Sequence, residues 1–293
     1  MFDPAHLRAL SAVLATGSFE AAAQALHVTP SAISQRIRAL EERAGTTLII
    51  RSQPTGATAA GMRLARHADD IGLLESALAR DLGVAADRRV RVRIAVNADS
   101  LATWFLPAFT ALPEWVFDVE IDNEDHSVDW LRRGEVQAAV TSGRQPVPGC
   151  DRIALGALRY VATASPAFVG RWFPNGVTAA ALAEAPALAF NAKDRLQHDW
   201  VRATIGLSVP LSCHRISSST AFFDAATLGI GWGMNPEPRV RAAIRDGRLV
   251  ALCDAAPLDV ALFWQASRLP GDGLAPLTRA VRDAAKRMLL APA

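Results

Sequence analysis

The chain opens on three runs of apolar residues at helical spacing. From Pro4 to Thr16 the residues Leu7, Leu10, Ala12, Val13 and Leu14 mark one face of a helix, and Gly17 ends it as a C-terminal glycine does. Ser18 can cap a second, shorter helix by accepting a hydrogen bond from a free backbone N–H, with Glu20 favoured in its first turn. His27-Val28 makes a tight turn. Thr29-Pro30-Ser31 then supplies an N-cap, a proline at the first helical position and a small polar residue, the preferred order for a third helix that runs to Arg43. Within it Ile33, Ile37 and Leu40 face a core, which leaves Ser31, Ser34, Gln35 and Arg38 on the opposite face. Gly45 closes that helix. Leu48-Ile49-Ile50 predicts a short strand, and Arg51 to Gly56, with Pro54, a turn leading to Ala57-Thr58, which together make a two-stranded wing.

From Ala59 to Leu82 the apolar positions Met62, Leu64, Ala68, Ile71, Leu74, Leu78 and Leu82 run along one side of a helix of about six turns. So long and one-sided a helix needs a partner. Either a second copy covers it, with Leu64, Ala68, Ile71, Leu74 and Leu78 as the seam of a dimer, or the chain's own domain does. Small and charged residues from Gly83 to Arg89 break the pattern, so a domain boundary is placed there. The expected division is 1–58, a linker helix and hinge over 59–89, and a third part over 90–293.

Beyond the hinge the period changes. Val90 to Asn97 alternates as a strand, Asp99-Ser100 starts a helix, and strands follow at 116–121, 136–141 and 158–164 with a helix around 127–132 between them. A second run has strands at 187–190, 211–216 and 230–234 and helices at 194–205 and 220–228. The chain returns through a strand at 258–266 and closes with a helix from Leu274 to Leu290. The predicted architecture is an all-α winged helix-turn-helix with a long linker helix, then an α/β two-lobed domain of the periplasmic-binding-protein type. Its first lobe spans about 90–162 and 268–293 and its second about 163–267, with a hinged cleft between them.

Composition excludes more than it identifies. Over 293 residues, 51% hydrophobic and 20% charged content leaves little room for long disordered segments. A net charge of +2 is too mild to mark a nucleic-acid binder by itself, because basic groups can gather on one small module. The N-terminus lacks the pattern of a secretory signal, and no apolar run reaches the roughly 20 residues that span a bilayer, so a cytoplasmic protein with no membrane partner is expected. Cys150, Cys213 and Cys253 are far apart and form no C-x-x-C pair, which points to inert thiols and no metal. No phosphate-binding glycine loop, H-E-x-x-H or G-x-S-x-G is present, so no catalytic residues and no cofactor are expected.

Two helices joined by a short turn, the second starting at its polar end, form the geometry that lays a helix in the major groove of DNA. There glutamine can pair adenine and arginine guanine, while backbone N–H groups and hydroxyls at the helix start hold phosphates. The candidates are Ser18, Thr29, Pro30, Ser31, Ser34, Gln35, Arg36, Arg38, Arg51 and Thr58. Taken alone, the exposed face of the third helix fits an ordinary solvated surface equally well. In the α/β half, ligands bind outside the carboxyl ends of strands, where helix N-termini offer N–H groups to an anion. Asn97, Ser100, Leu101, Thr141, Ser142, Ser218, Ser219, Thr220 and Phe222 lie at such positions, and Asp99, Asp122 and Glu124 supply carboxylates for a cationic group. Helix capping by the hydroxyls and solvated turns for the carboxylates are the plainer alternatives.

The segments Gly17-Ser18-Phe19-Glu20-Ala21-Ala22-Ala23, Val28 through Ile37, Leu40-Glu41 and Leu48-Ile49-Ile50-Arg51 closely resemble the winged helix-turn-helix of LysR-type transcriptional regulators. The resemblance implies promoter DNA contact through the serines, glutamine and arginines of the third helix, a dimerising linker helix, a homodimer or tetramer, and RNA polymerase among the partners. Ala95 through Trp104, Leu131 through Val136, Phe190 through Gln197 and Gly231-Trp232-Gly233-Met234 resemble the ArgP/LysG subgroup. That likeness implies an effector that is lysine or arginine and a target such as an amino-acid exporter gene. A periplasmic solute-binding protein would share the two-lobed half but not the DNA-binding module, and an architectural DNA-binding protein would not need the cleft.

Overall fold

A computed structural model describes residues 1–84, 90–121, 127–142, 145–253 and 256–291. Its contacts separate into two compact units, Met1–Val92 with Leu269–Leu274, and Arg93–Arg268 with Ala275–Ala293. The first differs from the division expected above, because a short piece of the distant C-terminal sequence belongs to it.

In the first unit α1 (Pro4–Thr16), α2 (Phe19–Ala25) and α3 (Pro30–Ala44) enclose a core of Leu7, Leu10, Val13, Ile33, Ile37 and Leu40. The caps are those the sequence predicts. Ser18 Oγ accepts from the Ala21 N–H at 3.3 Å and Thr29 Oγ1 from the Ala32 N–H at 3.2 Å. Gly17 and Gly45 end α1 and α3 with φ of 69° and 67°, a conformation that glycine adopts without strain. β1 (Ile49–Ile50) pairs antiparallel with β2 (Gly56–Ala57) as the wing.

One contact that holds the wing has no local sequence signal. Glu41 Oε1 accepts the Leu48 N–H at 2.8 Å and the Ile49 N–H at 3.4 Å, tying α3 to the entrance of β1. Glu41→Ala orphans both donors and is expected to cost about 1–3 kcal/mol in denaturant unfolding, whereas Glu41→Gln, which keeps an acceptor, retains most of that stability.

α4 (Ala59–Asp81) starts at Thr58, whose Oγ1 accepts from the Gly61 N–H at 3.1 Å and donates to the Thr47 carbonyl at 2.8 Å. Its apolar side is divided between two environments. Leu64, Ala68 and Ile71 pack on the core of the chain's own three-helix domain. Leu73 is fully buried and is covered in part by the single 3₁₀ turn Gly271–Leu274, where a side chain on Gly273 would run into Leu73 Cβ and carbonyl oxygen, both 2.9 Å from the added carbon. Arg80 donates to the Asp272 carbonyl at 3.3 Å. Leu74, Leu78 and Leu82 remain exposed. Of the five seam candidates, Leu64, Ala68 and Ile71 therefore pack within the chain, while Leu78 stays largely exposed and Leu74, beside Gly271 of the 3₁₀ turn, is only partly covered.

β3 (Val90–Val96) leads into the second unit, which continues with α5 (Ala98–Ser100), a π-helical turn (Leu101–Phe105), α6 (Pro107–Thr110), β4 (Trp115–Ile121), α7 (Ser127–Arg132), β5 (Ala138–Thr141) and β6 (Cys150–Ala164). There follow α8 (Pro166–Trp172), α9 (Ala179–Glu184), β7 (Ala187–Ala189), α10 (Leu196–Ile205), β8 (Cys213–Arg215) and α11 (Ser219–Thr227). The chain ends with β9 (Gly233–Pro236), α12 (Glu237–Arg245), β10 (Val250–Ala251), β11 (Leu258–Ser267) and α13 (Ala275–Met288).

A mixed sheet runs in the order β10-β6-β11-β5-β3-β4, with β9 also on β6, and β7 pairs β8 in a small parallel sheet. β3 and β5 are parallel through Ile94↔Ala138 and Ala95↔Ala139, so their carboxyl ends open on the same side. β6 and β11 are the two long antiparallel strands that cross from one lobe to the other. At their middle Gly156, with φ of 127°, lies against the Leu290 carbonyl, and the register slips between Leu262 and Phe263. The strand expected at 158–164 thus begins eight residues earlier, at Cys150, because the bend at Gly156 hides its first half from any simple alternation. α13 packs on α6 and the π turn, and Thr278 Oγ1 accepts the Trp264 indole N–H at 3.0 Å, which joins the closing helix to β11.

Candidate functional site

The carboxyl ends of β3, β5 and β7 and the first turn of α11 surround a cavity of about 320 Å³ in the second unit. Asn97, Ala98 and Asp99 come from the turn after β3, Ser142 follows β5, Tyr160 projects from β6, and Phe190 to Leu196 form the loop after β7. Asp199 of α10, Ser219 and Phe222 of α11, Met234 to Pro236 of β9 and Leu258 to Val260 of β11 complete the wall. Gly233 is required beside this cavity, since a Cβ there would press on the Phe222 ring at 2.8 Å.

Asp99 is held from both lobes. Its Oδ2 accepts the Tyr160 hydroxyl at 3.0 Å and its Oδ1 accepts the Ser219 hydroxyl at 3.0 Å, across 120 positions of sequence. Burial pushes its carboxyl above the usual range, the two hydroxyls pull it back, the Asp194 charge raises it further and Arg239 lowers it. Tyr160 is the only tyrosine in the chain, and it is buried.

Of the residues singled out from sequence, Asn97, Asp99, Ser142, Ser219 and Phe222 line the cavity. The others at described positions do not. Ser100 and Leu101 continue the turn below the wall, with Ser100 fully buried. Thr141 accepts from Gln265 Nε2 at 3.0 Å behind the sheet end, Ser218 caps α11 by accepting from the Ala221 N–H at 3.3 Å, and exposed Thr220 accepts from Arg239 at 3.2 Å. Asp122 and Glu124 lie outside the described residues. Sequence reasoning missed Tyr160, Lys193, Asp194, Arg195, Asp199 and Asp259. The only usable signal was the run Asn191-Ala192-Lys193-Asp194, whose acidic and amide side chains fold back on their own backbone: Asp194 Oδ2 accepts the Phe190 N–H at 2.8 Å and its Oδ1 the Leu196 N–H at 3.0 Å.

In the first unit Ser31, Ser34, Gln35 and Arg38 are exposed along α3, Arg36 is half-buried, and Thr29 and Pro30 occupy the start of the helix. Ser18, Ser34 and Arg51 meet in one open groove between α2, α3 and the wing. The Thr55 N–H donates to the Gly17 carbonyl at 2.9 Å, which fixes the wing loop against the turn of the motif. Thr58 stands apart, with its hydroxyl engaged in capping α4. Among the described residues no helix is long and apolar enough to cross a membrane, and no group of His, Cys, Asp and Glu is placed to hold a metal ion. Burial raises the Cys150 and Cys213 thiols above the usual thiol range.

Two family models match the chain, one at each end. Residues 4–62 match the bacterial regulatory helix-turn-helix protein of the lysR family, and residues 85–289 match the LysR substrate binding domain. The chain belongs to the LysR family. Among LysR relatives, the HTH-type transcriptional regulator LysG of Mycobacterium tuberculosis is 46% identical over 284 residues, covering 97% of this chain and 93% of that one. The crystal structure of ArgP from Mycobacterium tuberculosis is 44% identical with a TM-score of 0.76, covering 99% of both chains. Full-length LysG from Corynebacterium glutamicum with bound effector Arg is 35% identical with a TM-score of 0.66, covering 99% of this chain and 100% of that one. The LysR regulator described here is thus ArgP/LysG-like along nearly its whole length, and its relatives are transcriptional regulators, not enzymes.

Proposed function

We propose that this regulator binds promoter DNA as a homodimer, or a tetramer built from dimers, and changes transcription when lysine or arginine occupies the cavity at Asp99. Its target is a gene such as an amino-acid exporter, it works with RNA polymerase, and it acts in the cytoplasm. The observation that carries the effector reading is Asp99 itself, a carboxylate in the cavity wall whose side-chain hydrogen bonds among the described residues come from two neutral hydroxyls, so that it keeps lone pairs for the ammonium group of an amino acid. Beside it the first turn of α11 presents backbone N–H groups for the carboxylate of an amino acid. The arginine-bound relative supports the same class of ligand.

Footprinting of the full chain on its own promoter, with and without arginine, lysine and a neutral amino acid, tests the proposal. A footprint that no basic amino acid alters favours a different small metabolite, and protection of random DNA to the same degree favours an architectural role. On the DNA side, Gln35→Ala is expected to cost about 1–3 kcal/mol at the operator and to relax discrimination at one base pair. Arg51→Ala is expected to weaken all DNA alike and to reduce the salt slope by about one, as loss of a phosphate contact does.

A further inference from the structure

Four carboxylates face the effector cavity, and their partners differ. Asp194 accepts two backbone N–H groups and the Gln197 amide, so it serves as a cap at the head of α10. Asp259 sits directly across from Arg159 on the paired strands and takes its guanidinium through two 2.8 Å hydrogen bonds. Asp99 accepts two hydroxyls. Asp199, in the first turn of α10, has no side-chain hydrogen bond or ion pair among the described residues, and neither Lys193 nor Arg195 on the same wall pairs with it. The helix dipole explains an acidic residue in a first turn; it does not explain one turned to a cavity wall, where a half-buried carboxylate loses hydration with no donor to replace it.

A basic amino acid carries two cations and one carboxylate. The N–H groups at the start of α11 lie beside Ser219, which is bonded to Asp99, so a ligand carboxylate seated there brings its α-ammonium next to Asp99. We propose that Asp199 receives the second cation, the side-chain ammonium or guanidinium, and thereby sets the preference for dibasic over monobasic amino acids. This assignment rests on the basic-amino-acid reading above.

Calorimetry on the full-length chain tests it with two nearly isosteric pairs, arginine against citrulline and lysine against norleucine, each pair differing in the distal charge. The wild type is expected to prefer the charged member at least about tenfold. Asp199→Asn should weaken the charged member on the order of 30-fold and leave the neutral member within about twofold, so that the preference collapses, and Asp199→Glu should restore part of it. A preference that survives Asp199→Asn overturns the proposal. So does an equal loss for charged and neutral ligands, which assigns Asp199 to the fold. If the wild type binds both members of each pair equally, or binds neither, the basic-amino-acid reading itself fails.

Discussion

Asp99→Asn is expected to weaken arginine and lysine about 100-fold, the scale for removing one partner of an enclosed charge pair, while operator binding without effector is unchanged. Titration by calorimetry checks the first effect and a mobility shift the second. Acidity supplies an independent test. Because the folded carboxyl ionises later than the unfolded one at 3.8, the unliganded chain binds more protons than its unfolded form above that value and loses stability as the pH rises through the window up to the raised pKa. A cationic ligand favours the ionised form. Affinity for arginine should therefore increase with pH over that same window and level off above it. The groups around Asp99 that shape the window are Ser219, Tyr160, Asp194 and Arg239, and the asparagine variant should show neither slope.

Gly61→Val is expected to lower the stability of the DNA-binding unit by about 3 kcal/mol, at the upper end for overpacking a close contact. A Cβ at position 61 would overlap the Leu48 carbonyl oxygen, which also accepts the Thr58 N–H at 3.0 Å. Backbone stands on both sides of that contact, so no rotamer change relieves it. The first turn of α4 must lift from the wing, and the core formed by Leu48, Leu64 and Ile71 with α1 opens. Thermal unfolding followed by far-UV circular dichroism would register the loss, and Gly72→Ala, where a Cβ meets nothing within 4 Å, is the matched control.

What could be read from the sequence was local. Ser18 and Thr29 each announce a helix by the bond they make three residues on, and Gly17 and Gly45 announce an end by a backbone angle that disfavours other residues, whereas Thr58, read as part of the wing, caps α4. What could not be read was a partner chosen from far away. Asp99 was a visible acid at a strand end, but nothing near it specifies Tyr160 or Ser219. Asp122 and Glu124 lie outside the described residues, and the cavity's further described carboxylates come from the loop before α10, from α10 itself and from β11, none of which adjoins Asp99 in sequence. The helices α8, α9 and α12 escaped notice because six to nine residues, rich in alanine or bounded by proline, hold too few apolar positions to show a period.

The turn at Gly271–Leu274 bears on how such regulators can be recombined. Because the sequence leaves the second unit after Arg268, covers Leu73 and returns at Ala275, no single junction divides the chain into two self-contained inheritable pieces. A fragment that starts at Arg93 lacks α4, the helix on which the turn Gly271–Leu274 packs. A chimaera that exchanges everything beyond residue 84 with a relative must keep a glycine opposite Leu73, so compatibility between parents is decided by a residue pair two hundred positions apart.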